Sequence, residues 1–86
     1  MKVLIASDFY AEYELYETED LPGLTELVRQ AANTDEPIDF DETKYKPIGN
    51  MDLMSTEEAK AAADVTLFIT DFIEDDYQEG KPNEKN

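Results

Sequence analysis

Apolar residues occur along this chain in short runs whose spacing changes from one stretch to the next. Val3, Leu4, Ile5 and Ala6 are consecutive, which supplies apolar groups to both sides of a strand and predicts a buried one over Lys2–Ala6. Ser7 and Asp8 are turn formers. From Phe9 to Glu17 the pattern alternates, with Phe9, Ala11, Tyr13 and Leu15 in one set and Tyr10, Glu12, Glu14 and Tyr16 in the other. A period of two predicts a second strand with the first set facing the core. A helix capped by Ser7, with Phe9, Tyr13 and Tyr16 along one face, is the competing expectation.

The spacing then lengthens to three and four. Leu24, Leu27, Val28 and Ala31 predict an amphipathic helix that starts at Asp20, Leu21 and Pro22 and ends near Asn33. Glu26 and Arg29 are spaced for a surface ion pair on it. Ile38 and Phe40 stand among acids and predict a short strand running towards Tyr45. Pro47 to Asn50 reads as a turn, and Met51 to Met54 as a loop whose Leu53 and Met54 cover the core edge. Ser55 with Glu58 forms a capping-box pattern ahead of a helix over Thr56–Asp64, packed through Ala59, Ala62 and Ala63. Val65 to Ile73 carries apolar residues on both faces, the pattern of a central strand.

These elements predict an α+β fold, a small single sheet of three to four strands with two short helices packed on one face. Residues 1–79 form one acidic domain in this reading. The polar stretch 80–86 is a disordered tail.

Charge changes the picture more than composition does. The chain has 86 residues and a formal charge of −15, yet its apolar content is that of a folding domain, so the acidity belongs to a surface. Such a field repels nucleic acid, anionic membrane and phosphorylated metabolites, and favours a basic protein as partner. An acidic surface also suits brine, but lysine outnumbers arginine six to one, which points to an ordinary low-GC genome. There is no cysteine, and the run Val3–Ala6 is too short for a signal peptide or a membrane span. A cytoplasmic protein is expected.

Histidine and cysteine are both absent, which removes the usual Ser-His-Asp, Cys-His and zinc schemes. The three glycines stand alone, so no phosphate loop exists. A carboxylate pair working as acid and base has little room for a cleft in so short a chain. Asp39, Asp41 and Thr43 resemble the start of a calcium loop, but the sixth position is Lys44 and the twelfth Asn50, where glycine and glutamate are needed. No catalytic residue, cofactor or metal site is expected.

The acids themselves are clustered. Asp8, Glu12, Glu14, Glu17, Glu19 and Asp20 form one group, Asp35, Glu36, Asp39, Asp41 and Glu42 a second, and Asp71, Glu74, Asp75, Asp76 and Glu79 a third. Sixteen of the 22 acidic residues fall there, and none of the seven basic ones. Duplex DNA carries one charge per ~1.7 Å, so sixteen charges match about 27 Å of duplex, close to the roughly 30 Å breadth of a domain this size. Tyr10 and Tyr16, in the outward set, are the candidate apolar anchors for a partner.

In its size, acidity and lack of cysteine the chain resembles the DNA-mimic inhibitors of phages and mobile elements. Those proteins block glycosylases, restriction enzymes, CRISPR nucleases or nucleoid proteins by filling the DNA-binding groove. The resemblance implies a non-catalytic inhibitor that occupies the basic groove of a nucleic-acid-binding protein. The alternative is a generic acidic protein-interaction domain, monomeric or paired through a sheet edge, with no DNA-related partner. Mimicry requires the three acidic groups to merge into one band.

Overall fold

A computed structural model describes residues 1–74. The expected tail 80–86 and the acids Asp75, Asp76 and Glu79 lie outside the described residues. The strands are β1 (Lys2–Ala6), β2 (Tyr13–Glu17), β3 (Lys46–Asn50) and β4 (Val65–Phe68), and the helices are α1 (Leu21–Ala32) and α2 (Thr56–Ala62). The strands form one mixed sheet in the order β3-β2-β1-β4, with β1 antiparallel to β2 and parallel to β4. This is the α+β sheet with two helices that the pattern predicts.

The helices, expected on one face, instead divide between two. Val3 and Tyr16 are cross-strand partners and pack with Leu24 of α1 and with Tyr45. Leu4 and Leu15, the next pair, pack with Ala59 of α2. The cause is the unbroken apolar run of β1: successive side chains point to opposite faces, so both faces need cover. Val3 and Leu4 are each fully buried.

Three further expectations change. β4 is an edge strand, and it stops at Phe68 because the chain turns into a short 3₁₀ segment, Ile69–Phe72, packed against α1. Leu67 on one face packs with the cluster that holds Leu24 of α1, and Phe68 on the other with Tyr10 and the cluster that holds Ala59 of α2, so a central position is not needed. No strand forms at 35–42; the third strand lies where a turn was expected, from Lys46 to Asn50. Pro47 is tolerated because β3 is the other edge, with a register irregularity beside it. At Gly49 a Cβ would sit 2.7 Å from the Met54 methyl carbon, the far end of a flexible side chain that would have to shift. β2 begins at Tyr13 rather than Phe9.

Helix termini follow their sequence signals. Asp20 caps α1 by accepting from the Gly23 N–H at 3.1 Å, with Pro22 in the first turn. Ser55 and Glu58 form the reciprocal capping box of α2.

Candidate partner-binding surface

The strand directions place the C-terminal ends of β1, β3 and β4 beside the start of β2. Asp8 follows β1, Glu12 and Glu14 stand at the start of β2, Asp52 follows β3 and Asp71 follows β4. Five carboxylates thus reach one end of the sheet from four parts of the chain. None of them is ion-paired among the described residues. Lys60, near this end, stands over the Tyr10 ring, 4.7 Å from its centroid.

The opposite end is compensated. The Met1 amine lies 3.1 Å from Glu17 and 3.6 Å from Glu19, and Lys44 lies 3.1 Å from Asp20. Lys44, the Gly23 N–H and the Tyr45 hydroxyl together hold Asp20 below the usual carboxylate range. The first acidic group is therefore split, with Asp8, Glu12 and Glu14 outside the ion pairs of the described residues, Glu17 and Glu19 sharing the Met1 amine, and Asp20 paired with Lys44.

Between β1 and β2 the chain makes a tight clamp. The Ser7 N–H donates to the Glu12 carbonyl at 2.8 Å, the Glu12 N–H donates to Ser7 Oγ at 2.9 Å, and the Tyr10 N–H donates to the Ser7 carbonyl at 3.0 Å. Phe9 and Tyr10 inside it adopt left-handed backbone, φ 65° and 57°, which costs roughly 1–2 kcal/mol per residue for side chains with a Cβ. Tyr10 recovers part of that by packing edge-on against Phe68, 5.2 Å away, and Tyr13, 6.4 Å away. Among the described residues Phe9 has no such contact, and it is 89% exposed.

This reverses the expected anchors. Phe9, assigned to the core by alternation, is the outward aromatic. Tyr16, assigned outward, is buried and stacks on Phe40 at 5.7 Å. Tyr10 is half-buried. The alternation fails because residues 9–12 are not extended. The only sequence sign of Phe9 as an outward residue is the pair of turn formers before it, Ser7 and Asp8.

Beside this end a groove of about 410 Å³ opens between the last turns of α1 and the β2–β3 side of the sheet. Ile5, Tyr16, Val28, Phe40 and Ile69 give it an apolar lining. Glu12, Glu14 and Asp52 are its acidic lining residues. The Tyr16 hydroxyl donates to Glu14 Oε1 at 2.5 Å. Burial, this bond and the charges of Glu14 and Glu42 push the phenol well above its ordinary pKa.

The second acidic group runs along the α1 side, all five carboxylate residues exposed. Asp41 is spent on its own turn, accepting from the Thr43 N–H at 3.0 Å and the Thr43 hydroxyl at 2.6 Å, which lowers its pKa. Glu42 lies close enough to act on Tyr16. Asp35, Glu36 and Asp39 lie on the same connection. In the third group Asp71 is exposed, and Glu74 bonds Arg29 at 2.8 Å. Asn33 fastens that segment to the end of α1 through the Phe72 carbonyl and the Glu74 N–H, both at 2.8 Å. Asp75 and Asp76 lie outside the described residues.

Among the described residues no three His, Cys, Asp or Glu side chains are grouped so as to hold a metal ion. No described helix is long and apolar enough to cross a membrane. No family model, curated protein or solved structure matches the chain. The arrangement combines negative charge, an outward aromatic and an apolar groove at one end of the sheet.

Proposed function

We propose that this chain is a non-catalytic acidic binding protein that occupies the nucleic-acid-binding groove of a basic partner, as a DNA mimic does. The described acids do not form the single band expected of a mimic, because Glu17, Glu19, Asp20 and Glu74 stand in ion pairs. What supports the reading is the smaller set of Asp8, Glu12, Glu14, Asp52 and Asp71 at one end of the sheet, unpaired by cations among the described residues and accompanied by the exposed ring of Phe9. Folding leaves these charges uncompensated at a cost in self-repulsion, and a cationic surface relieves it. Inhibition is by occlusion. Association is fast and weakens with salt, because charge steers the encounter.

Competition is the direct test. The immobilised chain is used to capture a protein from a cell lysate, and the captured protein is challenged with duplex DNA. Release by DNA in proportion to its concentration is the expected result. A captured protein that binds no nucleic acid, or that holds DNA and this chain at once, would sink the proposal.

A further inference from the structure

We infer that the groove at the uncompensated end receives a cationic segment of the partner in which one large apolar side chain is flanked by arginine or lysine. This deepens the proposed function and rests on its claim of a basic partner.

The lining says what enters. Ile5, Val28 and Ile69 offer aliphatic surface, and the Tyr16–Phe40 stack a flat aromatic wall. At about 410 Å³ the groove is in the size range of clefts that bury a ligand or an anchoring side chain. A wholly polar cation would leave that surface wet. A wholly apolar segment would place uncharged atoms beside Glu12, Glu14 and Asp52, which have no cation among the described residues.

Charge complementarity selects the occupant. The three acids come from two separated stretches, Glu12 and Glu14 at the start of β2 and Asp52 beyond β3. One small cation answers one carboxylate, whereas several cationic groups on a common backbone answer all three. Anionic lipid and nucleic acid are repelled by the same field. A polypeptide with basic residues on both sides of a leucine, methionine or phenylalanine satisfies lining and charge together.

The test uses the full chain and two synthetic probes: a peptide with leucine between two pairs of arginines, and the same peptide with serine in the centre. Both are titrated at low ionic strength and followed by amide NMR shifts and calorimetry. The leucine peptide is expected to bind about tenfold more tightly, with shifts centred on Ala31, Phe40 and Asp52. Ala31 lines the groove from an exposed position on α1, so Ala31→Trp is expected to fill it and remove the preference for leucine. Glu12→Gln combined with Asp52→Asn is expected to weaken both peptides. Equal affinity of the unaltered chain for the two peptides overturns the inference, whatever the variants do. If they bind alike while duplex DNA still releases the captured partner, the groove is unused and the function stands. If leucine is preferred but no captured protein binds nucleic acid, the function falls and the groove remains.

Discussion

The Tyr16 hydroxyl donates to Glu14 Oε1 at 2.5 Å, so a ring in the wall of the groove also holds one of its carboxylates. Both residues lie on the same face of β2, two positions apart, and Phe40 closes over the ring. Because the folded protein holds this phenol above its ordinary pKa of 10.0, its contribution to stability is present below pH 10 and is lost as pH rises towards the folded value. The urea midpoint is expected to fall between pH 9.5 and 11, and Tyr16→Phe is expected to reduce that fall. An unchanged slope in the variant removes Tyr16 as its source.

Phe9 tests strain against use. Its left-handed backbone and 89% exposure mean that substitution loses little packing. Phe9→Gly is expected to raise stability by about 1 kcal/mol, since glycine adopts this conformation freely. Chemical denaturation measures it, with Phe9→Ala, which keeps the strain, as the reference. Both variants are expected to capture less partner. Full capture by Phe9→Gly would mean that the ring is not an anchor.

On α1, Arg29 bonds Glu26 at 2.6 and 3.0 Å and Glu74 at 2.8 Å. Arg29, with Gln30, lowers the Glu26 pKa to about 2. A depressed carboxylate stabilises above its unfolded pKa and loses that effect as pH falls through the folded one, so the window here is from about pH 4.5 down to 2. Side-chain NMR titration is expected to find the Glu26 midpoint near 2 and to see it rise in Arg29→Gln.

Gly23 stands under the Asp20 cap, where an added Cβ would collide with the Asp20 carboxylate and the Tyr45 hydroxyl. Alanine is ordinarily the better helix residue by about 1 kcal/mol. Here Gly23→Ala is expected to lower the thermal midpoint, because relief requires breaking the bonds from Gly23 and Tyr45 to Asp20. A raised midpoint would show that the cap moves aside without cost.

The two faces of the sheet are separable by truncation. Leu4 and Leu24 are fully buried, one towards α2 and the other within α1. Leu4→Ala and Leu24→Ala are each expected to cost about 2–5 kcal/mol, measured by urea unfolding. Against a total of roughly 5–15 kcal/mol for a domain, either loss is large. A cost confined to Leu24→Ala would mean that only the α1 face is a true core.

Local chemistry was sufficient wherever it acts within a few residues. Asp20 with Pro22, and Ser55 with Glu58, mark helix starts because the caps are closed by groups three positions away. The apolar run Val3–Ala6 marks a buried strand because four apolar residues in succession need cover on both faces. The absence of histidine and cysteine needs no fold to be informative.

Position across the sheet was another matter. Burial of Tyr16 rather than Phe9 depends on the Ser7–Glu12 clamp and on Phe68, more than fifty residues away in sequence, receiving Tyr10. Which acids are ion-paired depends on Met1 and Lys44 arriving at one end of β2 and not the other. The sequence by itself determined the two helices with their caps, the buried strand β1 and the acidic sign of the chain's own surface, because these follow from near neighbours and from net charge. Only the tertiary structure decided which carboxylates share one end, where the groove opens and which aromatic faces outward, because strand pairing brings together residues that no local pattern relates.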